Sequence, residues 1–139
     1  MSQSAYIKLV EGSAQSTITL REVRELLLAY KDQTERTGRQ LNWNYADAAF
    51  PYTIESKEGS EDQWFYLKGT HPGYKYIIFG VGKENREDGQ TDYIQIVLPD
   101  QATHGDKAKG NEFCKHIGRK LQAEVHLFNG RVMYFNPRK

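Results

Sequence analysis

The central part of the chain alternates apolar and polar residues with the period of two that is typical of β-strands. Three runs between Trp64 and Leu98 carry this alternation, namely WFYLK, YKYIIFGVG and DYIQIVL. Residues 69–73 and the charged residues 83–91 interrupt the pattern, and we predict that both are loops. The stretch therefore predicts three consecutive antiparallel strands.

The two faces of these strands differ in character. One face is aliphatic and rich in Phe, which indicates the core, and it consists of Phe65, Leu67, Ile77, Phe79, Val81, Ile94, Ile96 and Leu98. The other face is aromatic, and it consists of Trp64, Tyr66, Tyr74, Tyr76, Ile78, Tyr93 and Val97. Because this second face is too apolar simply to face water, we expect that something covers it.

Two segments change to the 3.6-residue period of an α-helix. The first begins at Thr19, because Thr19 and Glu22 have the spacing of a capping box, and Gly38 is predicted to end it. Its buried stripe is predicted to be Leu20, Val23, Leu27, Tyr30 and Thr34.

The second helix follows Pro99, is capped by Asp106 or Thr103, and ends near Gln122. Its buried stripe is predicted to be Gly110, Phe113, Cys114, Ile117 and Leu121, with Gly118 alongside. Since glycine is a poor helix former, we expect these glycines where the helix backbone comes close to the sheet.

Shorter strands are predicted at Ala5–Val10, at Tyr52–Ser56 and on both sides of Asn129-Gly130. Asn-Gly suits a two-residue type I′ turn, which would place Leu127 opposite Val132. The element order is then β-α-β-β-β-β-α-β-β. It predicts an α+β fold in one domain, residues 1–139, with a single curved, mostly antiparallel sheet of six to seven strands and two helices packed on one face.

Composition narrows the class of protein. The 139 residues include 17 aromatics and a single cysteine, so we expect a folded domain in a reducing compartment. We identify neither a secretion signal nor a membrane span, and we expect a cytoplasmic location. Residues 1–100 carry 11 basic and 15 acidic side chains, whereas residues 101–139 carry 8 basic and 3 acidic, so positive charge gathers at the C-terminal end.

Three segments, SAYIKLV, FPYTIE and NEFCKHIGRKLQAEVHLFNGRVMYFNP, carry a resemblance over the whole chain. The chain resembles a family of small proteins from spore-forming Gram-positive bacteria that is carried as a domain of unknown function. The resemblance implies a compact α+β domain, with helices on a curved sheet as in TATA-binding-protein-like folds. It implies no activity, cofactor or site residues.

No residue set in the sequence has the spacing of a catalytic, metal or nucleotide site. The four histidines are scattered, Cys114 lies on an apolar stripe, and Gly80–Lys83 lacks the remaining residues of a phosphate-binding loop. We therefore predict no catalytic residue, no metal and no cofactor, although an enzyme with an unfamiliar site stays open.

The first binding hypothesis places contacts with another protein on the aromatic sheet face. Its candidate residues are Tyr66, Tyr74, Tyr76 and Tyr93, together with Trp43 from the loop 39–51. Tyr and Trp suit interfaces because they bury a large area and keep a polar tip. The partner would be a second copy of the chain in a homodimer. Alternatively, the loop 39–51 covers this face within one copy.

The second binding hypothesis is recognition of nucleic acid or another polyanion. The basic second helix and the last hairpin supply the candidates, which are Lys107, Lys115, Arg119, Lys120 and Arg131. Tyrosines on the sheet would stack bases in the same complex. The pI of about 7.8 is modest for such a protein.

Overall fold

The computed structural model describes residues 2–40, 50–56, 63–86 and 89–137. Within these residues, two helices and one seven-stranded sheet follow the predicted order, and the α+β class is confirmed. In chain order the elements are β1 (Gln3–Lys8), α1 (Leu20–Gln40), β2 (Tyr52–Glu55), β3 (Trp64–Gly69), β4 (Tyr76–Arg86), β5 (Gly89–Leu98), α2 (His104–Leu121), β6 (Glu124–His126) and β7 (Val132–Tyr134). Neither helix has the length and apolar character needed to cross a membrane, within the described residues.

The strands lie in the order β2-β3-β4-β5-β1-β6-β7, and every neighbouring pair is antiparallel. The first strand therefore lies between β5 and β6 rather than at an edge. Ile7 of β1 pairs with Ile94 on one side and with Val125 on the other. This insertion joins the central strands to the C-terminal hairpin in one sheet.

Both helices pack on the predicted core face. Phe65 and Phe79 stack with ring centroids 5.3 Å apart, and Phe113 of α2 lies 6.3 Å from Phe79. Arg24 of α1 covers the Phe65 ring at 5.5 Å. The predicted core residues of β3, β4 and β5 are all buried, except Val81, which is partly buried against the cluster.

The helix starts agree with the capping residues in the sequence. Thr19 Oγ1 accepts from the Glu22 amide at 3.2 Å, and Glu22 Oε1 accepts from the Thr19 amide at 3.0 Å. Thr103 is the N-cap of α2, with Asp106 at the third helical position. The prediction that Gly38 ends α1 was wrong, because the helix continues to Gln40. A propensity cost of about 1 kcal/mol is too small to stop a helix by itself.

The glycines of α2 lie where the helix approaches the sheet, as predicted. A Cβ atom at Gly118 would overlap Cγ2 of Val125 on β6, and one at Gly110 would lie 3.0 Å from the Phe128 ring. Both positions thus exclude larger side chains for a packing reason.

Residues 83–86 and 89–91 of the charged stretch belong to strands rather than to the predicted loop. β4 extends to Arg86 and β5 begins at Gly89, with Lys83 paired opposite Asp92. Lys83 Nζ and Asp92 Oδ1 are 2.8 Å apart. Cross-strand pairing of opposite charges stabilises the ladder where the apolar alternation has already ended. The paired strands of this hairpin therefore extend beyond the residues that alternate.

The turn between β6 and β7 also differs from its prediction. His126 pairs with Val132, and the Leu127 amide donates to the Arg131 carbonyl at 2.8 Å. These contacts leave a three-residue loop, Phe128–Gly130, and move the register by one residue from the predicted one. Only Gly130 in this loop has a positive φ, of 86°, so the type I′ turn is wrong. Asn129 Oδ1 accepts from the Arg131 amide at 3.0 Å instead. This side-chain bond favours the longer loop.

Candidate functional site

The sheet face opposite the helices is lined by aromatic and aliphatic side chains, and neither helix lies on it. We call this surface the open face. Its apolar members, read from the strand registers, are Tyr6, Trp64, Tyr66, Tyr76, Ile78, Tyr93, Val97, Val132 and Tyr134. Tyr76 and Tyr134 are 37% and 51% exposed, and the other members are half-buried.

The rings of the open face form two groups. Tyr66 contacts Trp64 and Tyr76 with centroids 6.2 and 6.0 Å apart, and Tyr6 contacts Tyr93 edge-on at 5.5 Å. Between the two groups lie Gly80 and Gly82. A Cβ at Gly82 would overlap the Tyr93 ring, so that ring lies across the strand. Because Gly82 has no side chain, the Tyr93 ring can lie across the strand at this position.

Charged groups on the open face are few and largely balanced. Lys8 Nζ lies 3.0 Å from Glu84 Oε2, and His126 Nε2 lies 3.3 Å from Glu124 Oε2. Gln95 lies at the centre and donates to Ser4 Oγ at 3.2 Å. The open face is thus mainly apolar, and these polar side chains contact one another.

Sequence analysis missed Tyr6 and Tyr134 and misplaced Tyr74. Tyr74 packs on the core side, with its ring 5.6 Å from that of Tyr52. It precedes β4, so the alternation of that strand does not extend to it. Tyr6 alternates correctly within its own strand, but only the pairing of β1 with β5 brings it beside Tyr93. Trp43 lies outside the described residues, as does most of the loop 39–51.

The basic candidates on α2 lie away from the open face. Lys115, Arg119 and Lys120 are exposed on α2, which covers the opposite side of the sheet. Lys107 lines a depression with Gln3 and Leu98 at another flank of the helix. Arg131 lies in the last hairpin. A nucleic acid strand would have to pass around the edge of the sheet to contact both the tyrosines and α2. Binding through α2 alone stays a prediction.

A concave surface that the sequence does not predict lies between the two helices. We call it the interhelical cleft. Its volume is about 400 Å³, and it is lined by Tyr30, Gln33, Thr34, Thr37, Glu112, His116, Arg119 and Lys120. The Tyr30 hydroxyl donates to Glu112 Oε1 at 2.7 Å, and Lys109 Nζ donates to Glu112 Oε2 at 3.1 Å. The His116 ring packs edge-on against Tyr30, with centroids 4.9 Å apart.

The surroundings of the cleft lower the pKa of two side chains, Glu112 and His116. Burial alone would raise the pKa of Glu112, but hydrogen bonds from Tyr30 and Lys109 lower it below its ordinary value. Burial lowers the pKa of His116, and the nearby cations Lys120 and Arg119 lower it further. The cleft thus favours an ionised carboxylate beside a neutral imidazole.

The lowered pKa of His116 predicts a pH-dependent stability. Below its ordinary pKa of 6.5, His116 takes up a proton more readily in the unfolded chain than in the folded one. The free energy of unfolding should therefore fall as pH drops from 7.5 to 5.5. We expect His116→Gln to reduce this slope, as measured by urea unfolding at three pH values. The exposed His71 supplies the control, since His71→Gln should keep the wild-type slope. Equal slopes in all three proteins would contradict the prediction.

Cys114 is buried in the core, and burial raises its pKa to about 12. A thiol with this pKa is protonated at neutral pH and is a poor nucleophile. Among the described residues, no three His, Cys, Asp or Glu side chains are grouped so that they could hold a metal ion.

Comparison with known proteins gives two matches. A family model described as domain of unknown function (DUF1885) matches residues 3–137. The chain is also similar to the crystal structure of a protein of unknown function from Bacillus stearothermophilus. The two are 41% identical, the match covers 88% of this chain and 93% of that one, and the TM-score is 0.60. No curated protein matches the chain.

Proposed function

We propose that this chain, which belongs to the DUF1885 family of domains of unknown function, is a non-catalytic interaction module that forms a homodimer through its open face. This membership agrees with the family that the sequence resembles, and that family's description names no activity. The proposal therefore stands on the geometry of the chain.

The observation that carries the proposal is a continuous apolar row at the middle of the open face. Tyr66, Ile78 and Val97 are direct cross-strand neighbours on three adjacent strands. Apolar side chains in one contiguous patch mark interaction surfaces, whereas single exposed apolar residues do not. Tyrosines around the row add area and hydroxyl groups that can find partners across an interface.

The size of the open face suits a dimer. Seven strands about 4.8 Å apart, with about six residues of 3.3 Å rise each, give a footprint of roughly 29 by 20 Å. The relief of the side chains raises the accessible area above this footprint. The result is on the order of the 800 Å² that each partner buries in a stable complex.

The charge of the open face favours a second copy over a polyanion. Among the strand residues of this face whose side chains the structure describes, two are lysines and three are glutamates, namely Lys8, Lys68, Glu55, Glu84 and Glu124. A surface so close to neutral meets its own copy without strong repulsion, whereas nucleic acid binding requires an excess of positive charge.

Light scattering coupled to size exclusion tests this function. We expect the wild-type protein to elute at twice its monomer mass of 16.1 kDa. Ile78→Glu places an unpaired charge in the apolar row and should weaken the dimer by about 100-fold or more. Tyr76→Ser, which removes an exposed ring, should weaken it by about 10-fold.

A matched control comes from the other side of the molecule. Leu28 is 47% exposed on α1, so Leu28→Glu adds the same charge without touching the open face. Thermal unfolding of each variant separates loss of the dimer from loss of the fold. A monomeric wild-type protein at about 50 µM would overturn the proposal, because a specific dimer normally forms well below that concentration.

The cytoplasm is the proposed location. It is supported by the single cysteine, which is buried and reduced in the described structure.

A further inference from the structure

We propose that the interhelical cleft binds a small phosphate monoester with a hydrophilic body. This site is separate from the open face, because the sheet lies between the two. A test of ligand binding at the cleft is therefore independent of a test of dimer formation.

Among the residues that the structure describes, no carboxylate pairs with the positive charge at the cleft. Both oxygens of Glu112 are already engaged, one by Tyr30 and the other by Lys109. Among the described residues, neither Arg119 nor Lys120 takes part in an ion pair. The Arg119 guanidinium lies over the Phe135 ring, 5.6 Å from its centroid. This contact uses the face of the guanidinium, and the N–H groups at its edge remain able to donate. Two neighbouring cations at one concave surface are therefore able to receive an anion.

The hydrogen-bonding groups of the cleft also point to an anion. The hydroxyls of Thr34 and Thr37 are used as donors, to the carbonyls of Lys31 and Gln33. The strong donors that remain for a ligand are the guanidinium of Arg119 and the ammonium of Lys120.

Phosphate suits this pair, because a guanidinium binds it through two parallel hydrogen bonds and an ammonium adds a point charge.

The size and walls of the cleft define the rest of the ligand. A volume of about 400 Å³ exceeds the needs of an inorganic ion and falls in the range of small-molecule sites. The wall from α1 consists of Tyr30, Gln33, Thr34 and Thr37, so three polar side chains accompany one aromatic ring. A hydroxylated body matches these walls better than an aromatic ring.

His116 gives the site a measurable signature. Four charged or titratable groups face its ring, Tyr30 from α1 and Glu112, Arg119 and Lys120 from α2. A bound dianion would offset the two cations and favour protonation of the imidazole. Sulfate, which stays dianionic, should therefore bind more tightly as pH falls from 7.5 to 5.5. This dependence should disappear in His116→Gln.

Titrations followed by NMR at pH 7 and constant ionic strength test the site, with inorganic phosphate, sulfate and glucose 6-phosphate as probes. We expect saturable shifts at residues of the cleft, with the sugar phosphate binding more tightly than phosphate. Lys120→Gln and Arg119→Gln should each weaken binding by about 10-fold or more. Lys115→Gln is the matched control, since it removes the same charge from an exposed position of the same helix outside the cleft.

Three outcomes would overturn the proposal. The first is no saturation with a Kd below about 10 mM for any probe. The second is an equal loss of binding in Lys115→Gln and Lys120→Gln, which indicates a diffuse electrostatic attraction. The third is a single-stranded RNA that binds with a steep salt dependence while glucose 6-phosphate does not bind, because the phosphate would then come from a polynucleotide.

Discussion

Replacing Asp106 with alanine is expected to lower the free energy of unfolding by about 3–5 kcal/mol, the range for removing one partner of a buried charged contact. The side chain is fully buried near the start of α2. Its carboxylate accepts hydrogen bonds from the Tyr52 hydroxyl and from the backbone amides of Lys75, Tyr76 and Thr103. One side chain thus joins α2 to β2 and to the β3–β4 connection.

The size of the effect follows from the donors that alanine would leave behind. Buried N–H and O–H groups without an acceptor cost about 1–3 kcal/mol each, partly relieved where water enters. The Tyr52 hydroxyl cannot escape by ionising, because burial and its bond to Asp106 raise its pKa far above the ordinary value. The capping box of α2 would be lost as well, at about 1 kcal/mol.

Urea unfolding followed by circular dichroism measures the loss. Asp32→Ala is the control, since Asp32 forms an exposed pair with Arg36 and should cost no more than about 0.5 kcal/mol. Adding Tyr52→Phe to Asp106→Ala should cost less than the sum of the single changes, because one stranded donor is removed. A loss below about 1 kcal/mol for Asp106→Ala would contradict the proposed role of Asp106 in joining α2 to β2 and to the β3–β4 connection.

Gly69→Ala is expected to destabilise the protein by roughly 3 kcal/mol, the upper end of the range for overpacking. Gly69 ends β3, and its amide donates to the Lys75 carbonyl at 2.7 Å. A Cβ atom there would overlap the backbone carbonyl of Tyr74. Backbone atoms cannot rotate away as a side chain can. The β3–β4 connection would therefore have to move, and with it the amides that Asp106 holds.

Gly73 lies in the same connection and provides the control. A Cβ atom at Gly73 meets nothing within 4 Å, and its φ is not positive. Gly73→Ala should therefore be neutral or stabilise the protein by up to about 1 kcal/mol, through the unfolded chain. Equal thermal midpoints for Gly69→Ala and the wild type would show that the connection is not held in this position. We also expect the effects of Gly69→Ala and Asp106→Ala to be non-additive, because both act on one segment.

The sequence predicted those features that depend on neighbours along the chain. The alternation in β3, β4 and β5 separated Phe65 and Phe79 from Tyr66 and Tyr76 correctly, because side chains of a strand point to alternate faces. The capping residues Thr19 and Thr103 marked the helix starts, since a cap bonds amides only three positions away.

The errors lie where local signals compete. Asn129-Gly130 favours a type I′ turn, yet the Asn129 side chain bonds the Arg131 amide and a three-residue loop forms. At 83–86 the charged residues looked like a loop, but pairing with β5 continues through them. In both places a one- or two-residue preference is worth less than the hydrogen bonds that the surrounding ladder adds.

The composition of the open face was only partly predictable. Tyr66, Tyr76 and Tyr93 followed from alternation, whereas Tyr6 joined them because β1 inserts beside β5. The interhelical cleft gave no sequence signal. Tyr30 and Glu112 are 82 residues apart and meet only because both helices cover the same side of the sheet.

By itself, then, the sequence determined the order of the strands and helices and most of the side chains that share a strand face, since these depend on backbone geometry over a few residues. Only the tertiary structure decided that the tyrosines and the basic helix lie on opposite sides of the sheet. It also decided that Tyr74 belongs to the core and that His116, Arg119 and Lys120 line one cleft with α1. Strand order and helix placement depend on contacts between distant residues, and these form when the whole apolar surface is buried together.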